Sequence, residues 1–305
     1  MGKLKNDQGI YLHRTSKRAH VSKIVVITHI DEIFLYATPD RRPAGSYYLL
    51  FDILMELARR GHTVKVERGI PDAWSPADAA VLHLDRTYVP QPYLNYAQFF
   101  PLCLNANVQD ISKKTISGAN IKADEEWHGK VIVKSNYNAF GAPEAQMNGR
   151  AQKRGTESPF PGVRPIENYL VYDSIAEVPA ETAANSDLVI EKFLPELEPD
   201  GYATRFWVFC GDQERCNRYV AAEPIVKAGN ALRHEPCPVP QELRELRRKM
   251  GFDFGKFDFV MHEGKAILLD ANKTPGRPPR ESNFVGDDVI RFTNGFETML
   301  RSRSV

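Results

Sequence analysis

The chain has 305 residues, of which 42% are hydrophobic and 26% charged, and its 40 basic side chains nearly cancel its 39 acidic ones. This is the make-up of a soluble globular enzyme long enough for two or three compact units, without the global field that would draw nucleic acid. No apolar run approaches the ~18 residues of a membrane span, and Cys103, Cys210, Cys216 and Cys237 form no C-x-x-C pair, which argues against a zinc knuckle or a disulfide framework and suits a reducing cytoplasm.

Residues 1–20 carry Lys3, Lys5, Arg14, Lys17 and Arg18 but no apolar stretch. They do not read as a signal peptide and are expected to be a disordered basic leader. The run KIVVIT, residues 23–28, predicts a buried parallel strand. A polar stretch to Gly45, broken by Pro39 and Pro43, leads to a helix expected over residues 47–60. Ser46 is its candidate cap, Leu50, Ile53, Leu54, Leu57 and Ala58 its apolar stripe, and Gly61 its stop. Strands are expected over 63–67 and 79–84, followed by a segment rich in Pro and Tyr (90–100) and a last strand at 102–105. Strand, helix, strand, strand, helix, strand suggests a small α/β layer domain over residues 21–110. His83 and Asp85 follow one of these strands at its carboxyl end, where open α/β sheets bind ligands, and are candidate contacts for an acceptor substrate. A loop held by its own polar residues is the plainer alternative.

From about residue 110 the texture changes. Residues 111–117 read as a short helix with Ser112 as its cap and Lys113 and Lys114 side by side. The apolar strand 130–134 ends in Lys134, whose ammonium needs an anionic partner, and a phosphate is a natural one. Small and polar residues follow, including Gly141, and suit a loop whose N–H groups approach phosphate oxygens. Residues 148–165 are expected to be a mobile loop whose Lys153, Arg154 and Arg164 sit in water rather than over phosphates. The strand LVIEKFLPE, residues 188–196, turns at Pro195, making a hinge whose backbone can pair with an adenine edge. Arg205 lies inside an apolar and aromatic strand (202–210), a costly place unless it faces an anion. Arg218, in the next strand, is a second such candidate, and a structural ion pair is the alternative for both. A loop at 227–230, a charged amphipathic helix at 241–250 and a closing helix at 287–301 complete the order.

The most informative stretch is GKFDFVMHEGKAILLDANKTPG, residues 255–276. Two apolar runs flank His262-Glu263-Gly264-Lys265, a hairpin signal with Gly able to take positive φ. Asp270 and Asn272, two apart in a strand, share a face. A three-residue loop, 263–265, would set Asp258 opposite Asp270 so that three oxygens converge, whereas a two-residue turn would send Asp258 to the other face. Convergent hard oxygens suit Mg²⁺, and a strand as apolar as LLDAN does not read as freely exposed.

The order of these features resembles the ATP-grasp superfamily over roughly residues 110–300. It runs from Lys134 through a small-residue loop, the Glu-x-Phe-Leu-Pro hinge and a strand arginine to Asp258, Asp270, Asn272 and the loop Lys273-Thr274-Pro275-Gly276. The resemblance is to carboxylate–amine/thiol ligases of the glutathione synthetase and ribosomal-protein-S6-modifying type. It implies an α/β (α+β) ATP-grasp fold in residues 111–305, with two subdomains hinged near 191–198, behind a small Rossmann-like domain. It implies that Lys114 (or its neighbour Lys113), Lys134 and Gly141 meet the nucleotide phosphates. Glu191, Lys192, Phe193 and Leu194 would meet adenine, and Glu198 (or Glu196) the ribose. Arg205 and Arg218 would be the catalytic cations, with Asp258, Asp270 and Asn272 holding Mg²⁺ or Mn²⁺. In two places the chain departs from the pattern: Asp270 stands where Glu is more common, and the loop after Lys134 has one clear glycine. The implied activity is an ATP-dependent carboxylate–amine ligase working through an acyl-phosphate in the cytoplasm. Its partners would be a small-molecule or short-peptide carboxylate and an amine, with no nucleic acid or membrane and a homodimer left open. A small-molecule kinase and a non-catalytic nucleotide-binding regulator are the alternatives.

Overall fold

A computed structural model of the chain describes residues 21–32, 48–122, 124–276 and 286–302. The expected basic leader, the segment with Pro39 and Pro43, and Ser46 lie outside the described residues. The chain enters with β1 (Lys23–Thr28), α1 (Leu49–Arg59), β2 (Thr63–Arg68), β3 (Ala79–Leu82), α2 (Gln91–Ala97) and β4 (Cys103–Leu104). These strands form a parallel sheet in the order β2-β1-β3-β4. β1 is apolar on both faces because both are covered. Ile24 and Val26 meet Leu50, Ile53 and Leu57 of α1, while Val25 and Ile27 meet Tyr93 and Leu94 of α2. α1 starts later than expected, with Tyr48 at its cap position and no side-chain cap bond. The Leu49 amide instead donates to Pro275 O at 3.0 Å, which ties this helix to the loop after the hairpin.

Next come α3 (Lys113–Ile116), β5 (Val131–Ser135), α4 (Ala142–Lys153), β6 (Leu170–Tyr172), α5 (Ala180–Ala183) and β7 (Leu188–Lys192). The three strands make an antiparallel sheet, β6-β5-β7. The expected loop over 148–165 is therefore helical as far as Lys153, because Glu144, Met147 and Ala151 recur at helical spacing and bury one face of α4.

The rest is β8 (Glu196–Glu198), β9 (Gly201–Cys210), β10 (Gln213–Ala221), β11 (Arg233–Pro236), α6 (Gln241–Lys249), β12 (Phe254–His262), β13 (Lys265–Asn272) and α7 (Asp287–Ser302). The strands form one antiparallel sheet, β11-β10-β9-β12-β13, with β8 also on β9. Its two faces bury different things. Trp207, Phe209, Phe257 and Phe259 pack under Leu243 of α6. Val208, Cys210 and Phe254 join Phe292 and Phe296 of α7 and the apolar stripe of α1, so this sheet shares a core with the first one. Parallel and antiparallel sheets are segregated, which is the α+β class that was expected.

The β12–β13 hairpin differs from expectation in one respect and agrees in another. Its turn is two residues, Glu263 and Gly264, with φ of 48° and 78°, and His262 pairs with Lys265. A two-residue hairpin turn with both φ positive is of the I′ kind, which the right-handed twist favours. Alone it would set Asp258 opposite Leu269, out of step with Asp270. A β-bulge intervenes: Phe259 pairs with Leu268 and Asp258 with Asp270, which leaves Leu269 as the extra residue. The three-residue loop is thus overturned, while the opposition of the two acids holds.

Candidate active site

A cleft lies between the three-stranded and six-stranded sheets, and strand alternation decides what enters it. In β5, Val131 and Val133 pack away from the cleft against Val178, and Ile132 and Lys134 line it. β7 brings Glu191, fully buried, to Lys134, with Nζ 2.7 Å from Oε2. The second oxygen of Glu191 has no hydrogen-bond partner. The chain then turns, with the Lys192 and Phe193 amides donating to Ala119 O and Lys130 O at 2.8 and 2.9 Å. Lys192, Phe193, Leu194 and Pro195 line the cleft. Lys192 also pairs with Glu125 at 2.5 Å and lies 5.3 Å from the Trp127 ring.

Tyr169 closes the same side, stacked at 4.5 Å on Phe140; burial, followed by Asp270, raises the pKa of its phenol. Phe140 belongs to three successive left-handed residues, Ala139, Phe140 and Gly141 (φ 43°, 64° and 82°). Two of these are not glycine, and such strain is kept where surroundings enforce it. Gly141 precedes α4 and does not line the cleft itself; Lys227 covers Phe140 at 5.1 Å.

The opposite side comes from Thr204 and Phe206 of β9, Asp258 and Val260 of β12, and Leu269 and Asp270 of β13. Lys256 Nζ lies 2.9 and 3.0 Å from the two oxygens of Asp258. Lys113 Nζ lies 3.3 Å from Asp270 Oδ1 and donates to Tyr137 O at 3.1 Å. Burial pushes the Asp258 carboxyl above the usual range; Lys256 pulls it back and Asp270 adds to the rise. Burial works against the Lys256 ammonium, but Asp258 outweighs it and its pKa is raised.

Whether this donor set fits a divalent cation can be read from its oxygens. Oδ1 of Asp258 and Oδ1 of Asp270 are buried and accept no hydrogen bond, with only an ammonium beside each. Two opposed carboxylates with unspent lone pairs fit Mg²⁺, which takes one or two carboxylates and completes its shell with phosphate and water. Asn272 does not line the cleft in this conformation. Its Oδ1 accepts from Thr274 N at 2.8 Å and lies 3.2 Å from Thr274 Oγ1, whose single proton goes to Asp85 Oδ1 at 2.7 Å, so one lone pair of the amide oxygen stays open. Among the described residues no group of three His, Cys, Asp or Glu side chains is placed to hold a metal.

Several other expectations are corrected. Lys113, not Lys114, reaches the cleft, and Lys114 Nζ donates to Ser186 O at 2.7 Å instead. Successive residues of a helix diverge by about 100°, so one of the pair had to turn away. Arg205 and Arg218 lie on the back of the six-stranded sheet. Arg205 alternates with the cleft-facing Thr204 and Phe206, and Arg218 is its direct cross-strand partner. Arg205 grips Glu196 through two bonds of 2.7 and 3.1 Å; Arg218 binds Glu196 at 2.9 Å and also pairs with Glu198. Glu196 and Glu198 are therefore held by arginines, Arg233 included, and neither lines the cleft. Arg154 pairs with Asp31, while Lys153 and Arg164 are exposed, as expected for groups sitting in water.

His83 and Asp85 sit at the junction of the first sheet with the hairpin loop. Asp85 accepts from Tyr48 Oη at 2.6 Å and Thr274 Oγ1 at 2.7 Å, and burial raises its pKa. Tyr48 packs edge-on against His83 at 4.7 Å. His83 has no partner on either ring nitrogen, and burial lowers its pKa to about 3. Lys273, 2% exposed and also without a hydrogen-bond partner, is lowered to about 7, first by burial and then by Arg86. Sequence reasoning missed Lys256, Tyr169 and Lys273. Lys256 carried a usable signal, since it lies two residues before Asp258 and so on the same face.

No protein-family model and no curated protein matches the chain. Solved structures do. D-alanine–D-alanine ligase from Bacillus anthracis, complexed with ATP, is 15% identical over 94% of this chain and 99% of that one, with a TM-score of 0.46. The macrocyclase MdnC from Microcystis aeruginosa, bound with the precursor peptide MdnA, is 9% identical over 92% and 99%, with a TM-score of 0.47. A RimK domain protein ATP-grasp from Sphaerobacter thermophilus is 10% identical over 91% and 98%, with a TM-score of 0.43. At these identities and TM-scores the likeness is distant and concerns fold alone. Among the described residues no helix is long and apolar enough to cross a membrane.

Proposed function

We propose, with an ATP-grasp fold as the premise, that this chain is an ATP-dependent ligase joining a carboxylate to an amine through an acyl-phosphate. One observation carries the reading: the opposed acids Asp258 and Asp270 face Lys134 and Lys113 across a cleft with an apolar end. Ile132, Phe193, Leu194, Val260 and Leu269 suit a purine ring. The cleft measures about 120 Å³, below the ~300–1,000 Å³ of typical ligand sites, so nucleotide entry requires the two sheets to part. On entry the triphosphate would displace Glu191 as the partner of Lys134 and bring Lys113 off Asp270. Mg²⁺ held by Asp258 and Asp270 would supply charge neutralisation at the phosphates. A substrate carboxylate oxygen attacks the γ-phosphorus and ADP leaves; the amine then attacks the acyl carbon and inorganic phosphate leaves. Such transfers ask the protein for positioning and charge stabilisation, not for a nucleophilic side chain. Lys113, Lys134 and Lys256 would take the cationic role that had been expected of Arg205 and Arg218.

A second reading, nucleotide binding without turnover, is favoured by one observation, that both arginines point away from the cleft. ADP release from Mg-ATP, screened against pools of acids and amines with and without hydroxylamine as a trap, separates these readings. ADP and a hydroxamate formed only with an acid present support the ligase, with Asp258→Asn and Asp270→Asn both inactive. ADP with a stable phosphorylated product makes it a kinase, and ATP binding without ADP release under any pool leaves the regulator.

A further inference from the structure

The back of the six-stranded sheet holds a pair of groups that the cleft does not use. β10 and β11 run antiparallel with Asn217 opposite Pro236, which brings Cys216 and Cys237 together one step further along. The Cys237 amide donates to Cys216 O at 3.0 Å, and the two sulfurs are 3.3 Å apart. Both are free thiols. Cys216 is buried and Cys237 half-buried, and both open onto a groove of about 920 Å³ flanked by Arg215 and Arg244. The spacing of 21 residues concealed this neighbourhood, which exists only across strands.

We propose that Cys216 and Cys237 form a reversible dithiol site whose oxidant is a small-molecule disulfide, with Cys237 as the attacking sulfur and Cys216 as the resolving one. Exposure sets the roles, since of the two sulfurs on the groove the half-buried Cys237 is more accessible than the buried Cys216. Electrostatics agrees with this. The hydrogen bond shared by the two sulfurs, with Arg205 behind it, lowers Cys237 against its burial, whereas the same contact and burial push Cys216 up. Reactivity follows the thiolate. Cys237 thiolate attacks one sulfur of the oxidant; a mixed disulfide forms, and one thiolate leaves and takes up a proton. Cys216 then gives its proton to solvent and attacks Cys237 Sγ, expelling the second thiolate. Two protein thiols are oxidised and one disulfide is reduced to two thiols. The bridge ties the exposed edge strand β11 to β10, and the inference is independent of the proposed ligase activity.

The test treats the full chain with glutathione disulfide, quenches with iodoacetamide under denaturing conditions, and reads intact mass and a tryptic map. The expected result is loss of two hydrogens, a 216–237 cross-link, alkylation of Cys103 and Cys210 alone, and recovery of all thiols with dithiothreitol. Cys216→Ser should stall with glutathione on Cys237, and Cys237→Ser should leave Cys216 unmodified. Four alkylated thiols after treatment of the native chain would overturn the proposal. So would a persistent glutathione adduct in the native chain, or equal adducts in both variants.

Discussion

Replacing Glu191 with glutamine separates a structural Lys134 from a phosphate-binding one. The Glu191 side chain is fully buried and that of Lys134 is 10% exposed, with 2.7 Å between the charges. Removing one member of a buried pair costs about 3–5 kcal/mol, because the other charge is left uncompensated. A glutamine still accepts from Nζ, which places Glu191→Gln at the lower end, about 3 kcal/mol. At about 2 °C per kcal/mol for a chain of this size, the ligand-free Tm should fall by roughly 6 °C. A nucleotide phosphate would restore the missing anion, so the rise in Tm on adding Mg-ATP should be larger in the variant than in the native chain. Thermal unfolding of both proteins across an ATP titration measures the two numbers. An equal deficit with and without ATP would show that Lys134 never meets phosphate and would refute the placement of the nucleotide.

Lys113→Met should weaken ATP binding about tenfold, or about 1.4 kcal/mol, while Lys114→Met should leave it within about twofold; calorimetric titration giving the reverse ranking would overturn the choice between them. Arg205→Met should leave ATP affinity intact but lower stability by about 1–3 kcal/mol, since Glu196 loses its bidentate partner, and a matching loss of ATP binding would return Arg205 to the site. Burial lowers Lys273 from its ordinary 10.5 to about 7, so between these values the unfolded chain holds the extra proton and this group makes stability rise with pH. Tm of the native chain relative to Lys273→Met should therefore climb from pH 7 to pH 9, and a flat difference would mean that Lys273 finds an anion in the fold. Deleting Leu269 should remove the bulge and one wall of the purine slot while keeping Asp258 opposite Asp270, so ATP affinity should fall while its Mg²⁺ dependence survives; loss of the Mg²⁺ dependence would show that opposition of the two acids is not enough to hold the cation.

The elements were largely legible because burial leaves a period. β1 matches its apolar run, and Leu50, Ile53, Leu54 and Leu57 form the buried stripe of α1. Lys134 was legible as a buried cation in need of an anion, although Glu191 is the anion that meets it. The side of a sheet was not legible. β9 carries aromatics on both faces, with Phe206 toward the cleft and Trp207 and Phe209 under α6. Alternation therefore split the strand into two sets without saying which set faced the cleft, and Arg205, expected there, lies on the other side. Lys113 and Lys114 posed the same problem on a helix of four residues, too short for a hydrophobic face to set its rotation. The cysteine pair was invisible for another reason: C-x-x-C logic detects neighbours along the chain, and Cys216 and Cys237 are neighbours only through the register of β10 on β11.

Register also explains why the acid pair survived a wrong turn. Gly264 and the strand twist favour the two-residue turn, and that choice alone places Asp258 and Asp270 out of step by one residue. The two local preferences conflict: the turn calls for one alignment and the burial pattern for another. Leu268 belongs under α6 with Phe259, and Asp270 belongs opposite Asp258, so one residue between them has to be absorbed. The bulge absorbs it at Leu269, whose apolar side chain then lines the cleft beside Val260. An added residue in a strand re-aims the side chains around it, and here it lets two adjacent residues, Leu269 and Asp270, serve the same cavity. The purine slot and the cation site proposed above thus share one backbone irregularity.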